Sequence, residues 1–222
     1  MSRISLEIER LHSLLPEGVG LVAVSKFHPA EAVMEAYRAG QRIFGESRVQ
    51  ELLQKIPALP SDIRWHFIGH LQTNKVRQIV GRVAMIESVD SERLLELIDA
   101  ESRRAGVTTG VLMQVHVAEE ETKFGFLPDE LIAFFADRKF ETLTNTHIYG
   151  VMGMASNTDD TERVRSDFAR IAEVARKVKD ICPDLRGFDT ISMGMSGDWP
   201  IAVEEGSNLV RVGTAIFGAR RY

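Results

Sequence analysis

The fold is decided by residues 21–29, which read LVAVSKFHP. Four apolar residues run directly into a serine and a lysine, and Pro29 then opens a helical pattern. This order predicts a buried strand that delivers Lys26 at its carboxyl end, where α/β folds place their chemistry. The simpler interpretation is a solvated lysine in a strand-to-helix loop, because lysines are mostly exposed. The rest of the chain decides between the two.

Apolar runs alternate with amphipathic segments along the whole chain. Strands are predicted at 19–25, 42–45, 65–68, 85–89, 110–116, 147–152, 190–193 and 209–212. Helical patterns are predicted at 1–10, 30–39, 91–105, 129–138 and 161–180, with a shorter segment that begins at Ser196.

Eight strands, each followed by a helix or a helical turn, predict a single (β/α)8 TIM barrel that spans residues 1–222 as one domain. Barrels of this kind use about 200 to 250 residues, so the chain is near the small end of the range. A doubly wound open sheet is the competing architecture. It is less favoured, because residues 25–28 read SKFH where a glycine-rich dinucleotide motif would stand.

Composition and charge narrow the class of protein. The 222 residues carry 27 basic and 32 acidic side chains, a net charge of −5, which does not favour a nucleic-acid surface. No apolar run approaches a membrane span, and the charged N-terminal segment is unlike a signal peptide. Cys182 is the one cysteine, which indicates a reducing compartment and an inert thiol. We expect a cytoplasmic protein that binds neither nucleic acid nor membrane.

Two glycine-containing loops follow the last two predicted strands. Residues 192–198 read SMGMSGD and residues 211–218 read RVGTAIFG. Small residues and hydroxyls at such points favour a phosphate, since free backbone N–H groups bind it, and barrels often place phosphates after strands seven and eight. The simpler interpretation is that the glycines only permit tight turns and that Ser196 only caps a helix.

A lysine and a phosphate site at one barrel mouth together indicate pyridoxal 5′-phosphate (PLP). The aldehyde of PLP needs an amine such as Lys26, and its phosphate needs a cradle. Arg211 is the candidate partner of the pyridine nitrogen, and an arginine there would disfavour the protonated ring and weaken it as an electron sink. The alternative for Arg211 is a structural ion pair with Glu204 or Glu205.

Two further strand ends face the same mouth. Ser47 is a candidate for contact with the cofactor ring, while Glu46 and Arg48 are expected to form a polar scaffold. His66 alternates with apolar residues and is a candidate for the barrel interior, and His70 lies in the following loop. Neither histidine has the neighbours that a metal site needs, so no metal is predicted, and a hydrogen-bonded structural role is the simpler interpretation.

The remaining candidates are one lysine and four methionines. Lys123 is either a second amine near the site or a surface charge in an acidic loop. Met152, Met154, Met193 and Met195 are more typical of packing. Met193 and Met195 nevertheless lie in the predicted phosphate loop and are included among the cofactor candidates.

With these segments assembled, the chain resembles the PLP homeostasis protein family, the proline-synthetase-co-transcribed homologues. The stretches that carry the resemblance are 22–26 (VAVSK), 44–46 (FGE), 49–51 (VQE), 65–75 (WHFIGHLQTNK), 123–125 (KFG), 150–152 (GVM), 192–196 (SMGMS) and 211–220 (RVGTAIFGAR). They extend over nearly the full length, and the third-strand and C-terminal motifs are specific.

The resemblance implies a fold type III barrel like the N-terminal domain of alanine racemase, with PLP held by Lys26 as a Schiff base. It further implies a phosphate bound by Ser196, Gly213 and Thr214 with backbone help from Met195, and a role in vitamin B6 balance. The full set of candidate cofactor residues is Lys26, Ser47, His66, Met193, Met195, Ser196, Arg211, Gly213 and Thr214.

Two positions depart from the pattern of that family. Ser47 stands where the family usually has asparagine, so the resemblance does not extend to any contact of that amide with the cofactor. His28 stands where a second lysine is frequent, two residues after Lys26. Transfer of PLP between lysines at the mouth would then require Lys123 or another amine.

Three functions remain open from the sequence. A racemase of this fold takes a second acid–base residue from an extra β domain and a dimer partner, and Tyr222 follows the last strand too closely for that domain. We therefore expect a monomeric carrier or buffer of PLP, which exchanges it with PLP-dependent apoenzymes or vitamin B6-pathway enzymes, and we assign no catalytic residue. The alternatives are a slow PLP-dependent amino-acid racemase and a sugar-phosphate barrel with Lys26 as an aldolase-type lysine.

Overall fold

A computed structural model of the chain describes residues 2–117 and 124–219. Its strands are β1 (Gly20–Val24), β2 (Ile43–Glu46), β3 (Arg64–Phe67), β4 (Met85–Val89), β5 (Thr109–Val115), β6 (Thr146–Gly153), β7 (Thr190–Ser192) and β8 (Leu209–Val212). All are parallel and pair in chain order, and β1 also pairs with β8, so the sheet closes. The predicted (β/α)8 barrel is confirmed, and the open doubly wound sheet is wrong.

Helices follow most of the strands. Those of the described residues are α1 (Arg3–Leu14), α2 (Ala30–Arg38), α3 (Val49–Lys55), α4 (Val76–Ile79), α5 (Glu92–Ala105), α6 (Pro128–Ala136), α7 (Thr161–Ile181), α8 (Trp199–Glu204) and α9 (Thr214–Phe217), with 3-10 turns at Ile56–Ala58, Thr73–Lys75 and Lys139–Thr142. None of these helices is both long and apolar enough to cross a membrane.

One helix begins later than the sequence predicts. The segment after Met195 was expected to turn helical at Ser196, whereas α8 begins at Trp199. The intervening residues form a turn, in which the N–H groups of Asp198 and Trp199 both donate to the Met195 carbonyl. Pro200 then occupies the first helical turn, where its missing N–H costs nothing.

The core lies mainly between the barrel and its helices. Aromatic side chains such as Phe44 and Phe67 are fully enclosed there. A second, smaller buried cluster joins Met85, Leu112 and Met152. Cys182 is also buried, and burial raises the pKa of its thiol, which agrees with the predicted inert cysteine.

Barrel closure decides which strand ends share a mouth. In the register of β1 and β8, Leu21 pairs with Val210 and Val22 pairs with Arg211. Because the strands are parallel, their carboxyl ends open at one end of the barrel. Lys26 lies two residues after β1 and Thr214 lies two residues after β8, so residues almost 190 positions apart in sequence come to one opening.

Candidate cofactor site

A cavity of about 320 Å³ opens at the carboxyl end of the barrel. Six of the nine candidate residues line it, namely Lys26, Met195, Ser196, Arg211, Gly213 and Thr214. The volume is in the range of small-molecule sites. The structure therefore brings together, in one place, the lysine after the first strand and both loops after the last two strands.

The two C-terminal loops meet at the Ser196 hydroxyl. Its Oγ accepts hydrogen bonds from the Gly213 N–H at 3.2 Å and the Ala215 N–H at 3.4 Å. Two backbone donors thus converge on one oxygen, beside the exposed Thr214 side chain. Converging backbone N–H groups of this kind also bind anionic oxygens such as those of a phosphate.

The Met195 backbone N–H has a partner within its own loop. It donates to Asp198 Oδ1 at 2.5 Å, so the group is already engaged there. The Met195 side chain is 42% exposed and lines the cavity instead.

Arg211 is held in the barrel interior and also lines the cavity. The residue is only 4% exposed. Its Nη1 donates to the carbonyl and to Oγ of Ser192, both at 2.7 Å, and its Nη2 donates to the Gly153 carbonyl at 2.9 Å. Three of the five guanidinium N–H donors are used in these bonds, so two remain for other partners.

A buried carboxylate balances the charge of Arg211. Glu87 Oε2 lies 3.8 Å from Arg211 Nη1 and accepts a 2.6 Å hydrogen bond from Ser192 Oγ. Glu87 Oε1 lies 2.6 Å from His66 Nδ1, which must carry the proton because a carboxylate only accepts. The chain Arg211–Ser192–Glu87–His66 therefore links four strands across the barrel.

The protonation of this chain follows from its geometry. Burial by itself would raise the pKa of Glu87, but the hydrogen bond from His66 and the charge of Arg211 outweigh it and lower that pKa below 4.5. Burial also lowers the pKa of Arg211, and the Glu87 carboxylate opposes that change. Because arginine stays protonated in proteins, the cavity faces a permanent cation.

The alternative interpretation of Arg211 as a partner of Glu204 or Glu205 is wrong. Both carboxylates bind Arg165, at 2.6 Å each. They lie at the end of α8 and immediately after it, whereas Arg211 is enclosed within the sheet.

Three candidate residues lie outside the cavity. Met193 is fully buried in the core. His66 is 3% exposed and reaches the site only through Glu87, and its Nε2 has no partner among the described residues. Ser47 lines a separate cavity of about 280 Å³ with Arg48 and Lys75.

Two other sequence expectations have mixed outcomes. His70 is exposed, donates toward Asp90 at 2.9 Å and stacks on Phe124 with ring centroids 3.8 Å apart, which confirms a hydrogen-bonded structural role. Lys123 lies outside the described residues. In the described ranges, no group of three or more His, Cys, Asp and Glu side chains is placed to hold a metal ion.

Sequence reasoning missed several residues of the site. His28, Ile68 and Met154 line the cavity, and burial, followed by the charge of nearby Lys55, lowers the pKa of His28, so its imidazole is neutral at pH 7. Glu87 was also missed, although one signal was available. It is a charged residue inside an apolar strand, and such a residue needs a buried partner.

A family model agrees with this geometry. The model described as the alanine racemase N-terminal domain matches residues 1–221. The pyridoxal phosphate homeostasis protein of Haemophilus influenzae is 36% identical over 207 residues, which cover 92% of this chain and 86% of that protein. The chain belongs to the pyridoxal phosphate homeostasis protein family. The family member of Mus musculus is 39% identical over 216 residues, covering 91% of this chain and 77% of the mouse protein.

Two solved structures resemble this chain in fold. PipY of Synechococcus elongatus PCC7942, with PLP bound, superposes with a TM-score of 0.89 at 39% identity, covering 97% of this chain and all of that chain. Alanine racemase from E. faecalis superposes with a TM-score of 0.74 at 18% identity, covering 98% of this chain and 58% of that chain. The second likeness concerns the fold alone, and it confirms the predicted fold type III barrel.

Proposed function

We propose that this protein binds pyridoxal 5′-phosphate in the 320 Å³ cavity and takes part in intracellular PLP homeostasis. The observation that carries the proposal is the shared cavity of Lys26, Arg211 and the Ser196–Gly213 contact. An amine, a cation and converging N–H donors match the aldehyde, the ring nitrogen and the phosphate of one cofactor. The PLP-bound relative PipY supports the same assignment.

Each group of the site has a distinct task in this proposal. Lys26 would hold the cofactor through its amine, since PLP when bound would supply an aldehyde that reacts with amines. Ser196, Gly213 and Thr214 bind the phosphate, with their hydroxyl and N–H groups as donors. Arg211 donates one of its two remaining N–H groups to the ring nitrogen.

The charge of Arg211 favours carriage over catalysis. PLP when bound supplies an electron sink for carbanion chemistry, and the sink is strongest when its ring nitrogen is protonated. Arg211 is a buried, permanent cation fixed by Ser192 and Glu87, and it opposes a proton on that nitrogen. The protein therefore holds PLP as a buffer or carrier, with PLP-dependent apoenzymes or vitamin B6-pathway enzymes of the cytoplasm as the recipients.

Titration of the cofactor-free protein with PLP tests the binding. After unbound PLP, which is itself coloured, has been removed by gel filtration, we expect a visible absorbance band to remain with the wild-type protein and to be absent from Lys26→Ala. Lys177→Ala, which removes an exposed surface amine, serves as the matched control and should behave as wild type. A colourless wild-type protein would refute the proposal and favour the sugar-phosphate barrel.

A second assay separates the carrier from the racemase. The loaded protein is incubated with a panel of L-amino acids in deuterated water, and Cα deuterium and D-isomer are measured. The carrier predicts exchange no faster than with free PLP at equal concentration. Exchange at multiple turnovers per protein would establish an amino-acid-transforming enzyme instead.

A further inference from the structure

The turn that carries Lys26 has an unusual backbone. Lys26 and Phe27 are the central residues of a four-residue turn, which the His28 N–H closes by donating to the Ser25 carbonyl at 3.1 Å. Phe27 has φ of 66°, and among the described non-glycine residues only Arg138 shares a positive φ. Turns of this kind normally place glycine there, because a side chain is strained in the left-handed region. A strained residue persists only where its surroundings fix it.

The beginning and end of α3 supply that constraint. Lys55 Nζ donates to the Ser25 carbonyl at 2.8 Å, and Glu51 Oε1 accepts the Phe27 N–H at 2.7 Å. Arg48 places its guanidinium over the Phe27 ring, 4.5 Å from the centroid. The side chains of Arg48, Glu51 and Lys55 therefore fix the positions of the two residues that flank Lys26.

The ammonium group of Lys55 donates all of its hydrogen bonds to groups around this turn. Lys55 is 5% exposed, and its ammonium also donates to Glu46 Oε1 at 2.6 Å and to Glu51 Oε1 at 2.7 Å. With the Ser25 carbonyl these acceptors use all three donors of the ammonium, so Lys55 is not a second amine for the cofactor.

The buried ion pair of Lys55 and Glu46 costs free energy, because both charged groups lose their hydration. Burial raises the pKa of Glu46, and the charge of Lys55 only partly opposes that rise. Glu46 Oε1 accepts a hydrogen bond from Ser25 Oγ at 2.7 Å, while its buried Oε2 has no partner within the described part of the chain. Apolar side chains of similar volume would often stabilise such a position as well or better. This ion pair contacts the turn that carries Lys26, which indicates a role in function rather than in stability.

We propose that Lys55, acting with Glu51, is a positioning residue that fixes the strained 25–28 turn and so holds Lys26 toward the cavity. Lys55 is not among the residues that line the cavity; it acts through the Ser25 carbonyl, and Glu51 acts through the Phe27 N–H. The inference rests on the proposed binding of PLP by Lys26.

The first test compares cofactor capture by Lys55→Met with capture by the wild-type protein. Methionine keeps the length of the side chain and removes all three donors. We expect the rate of PLP capture, followed by visible absorbance after mixing at a temperature where both proteins are folded, to fall about tenfold. Lys177→Met is the matched control, since Lys177 forms an ion pair of the same i,i+4 spacing with Glu173 on the surface and should leave the rate unchanged.

A second pair of variants keeps the test decisive if Lys55→Met does not fold. Glu51→Gln retains an Oε1 that accepts the Phe27 N–H, whereas Glu51→Ala removes it. We expect Glu51→Gln to capture PLP at close to the wild-type rate and Glu51→Ala to be slowed. A merely structural role would lower the melting temperature of the variants and leave capture per folded molecule unchanged.

The outcomes separate the inference from the function on which it rests. A wild-type protein that takes up no PLP would refute the proposed function. A wild-type protein that takes up PLP, with Lys55→Met or Glu51→Ala capturing it equally fast, would overturn the inference alone. Equal slowing in Glu51→Gln and Glu51→Ala would also overturn it, because the retained acceptor would then be irrelevant.

Discussion

Arg211 brings a permanent positive charge into the interior of the barrel, and the surrounding residues are arranged to tolerate it. Three of its five N–H groups donate to Ser192 and Gly153, and its charge is opposed by Glu87. Removal of one member of a buried charged pair leaves the other uncompensated, which costs far more than loss of a surface pair.

Glu87→Gln should therefore destabilise the protein strongly. We expect the free energy of unfolding to fall by about 3 kcal/mol, because Gln retains the shape of the side chain and leaves Arg211 without a counter-charge. Chemical denaturation measures this change. Glu173→Gln, which breaks an exposed pair, is the control and should leave the value nearly unchanged. Equal effects of the two substitutions would contradict the role of Glu87.

The same carboxylate predicts a pH dependence. The pKa of Glu87 is lower in the folded protein than its ordinary value of 4.5, so the unfolded chain binds a proton first as the pH falls. The contribution of Glu87 to stability is complete well above pH 4.5 and is lost as the pH falls through the folded-state pKa. The difference in unfolding free energy between wild type and Glu87→Gln should accordingly shrink below pH 4.5. A constant difference down to acid unfolding would contradict this account.

At the scale of residues, the sequence predicts which side chains lie at strand ends better than it predicts which side chains bond to one another inside the barrel. Lys26 and Arg211 were predicted as site residues because each lies near the carboxyl end of a strand, where barrels place their functional residues. The Glu87–Ser192 bond was not predicted, because it joins residues 105 positions apart across a closed barrel. Local pattern does not select such partners, since they are decided by closure.

At the scale of elements, the pairing of β6 and β7 depends on one glycine. Gly150 has φ of 151°, and a Cβ at this position would stand 1.8 Å from the Thr190 carbonyl oxygen. Gly150 pairs with Thr190 in the register of the two strands, so the close approach is part of the sheet itself.

Gly150→Ala should consequently be poorly tolerated. We expect a loss of about 3 kcal/mol or more in unfolding free energy, since both the backbone conformation and the space are unsuitable for a side chain. Gly197→Ala is the control, because a Cβ there meets nothing within 4 Å and φ is not positive; it should change the value by no more than about 0.5 kcal/mol. Normal stability of Gly150→Ala would show that the strand pairing is wrongly described.

The alternation of apolar and amphipathic segments was enough to predict the eight strands. Residues 85–89 and 209–212 were predicted with the observed bounds, and the other strands differ by a single residue at one or both ends. The start of α8 was missed because the Asp198 carboxylate organises the preceding turn, which delays the helix to Trp199. Turn hydrogen bonds of this kind leave little trace in periodicity.

At the scale of the whole molecule, the site exists only in the closed barrel. Its lining comes from the segments after β1, β3, β6, β7 and β8, so no smaller unit contains it. Sequence reasoning predicted the architecture and most of the cavity, because parallel strands must present their carboxyl ends together. Ser47 and Met193 were also candidates but do not line this cavity, because side-chain direction and packing put Ser47 in a separate cavity and Met193 in the core.

Cofactor loading should stabilise the whole barrel. A ligand that binds only the folded protein adds about 2.7 kcal/mol to the unfolding free energy at a free concentration of 100 times Kd. We expect a gain of this order with PLP in the wild-type protein and a clearly smaller gain in Lys26→Ala at the same concentration. Thermal denaturation with and without PLP measures it, and an equal gain in both proteins would place binding away from Lys26.

The central claim is that Lys26 is the residue that tethers PLP. The most direct measurement is borohydride reduction of the loaded protein, followed by digestion and mapping of the modified peptide by mass. The account predicts one modified residue, Lys26, carrying the mass of the reduced cofactor. Modification of another lysine with Lys26 left intact would contradict it.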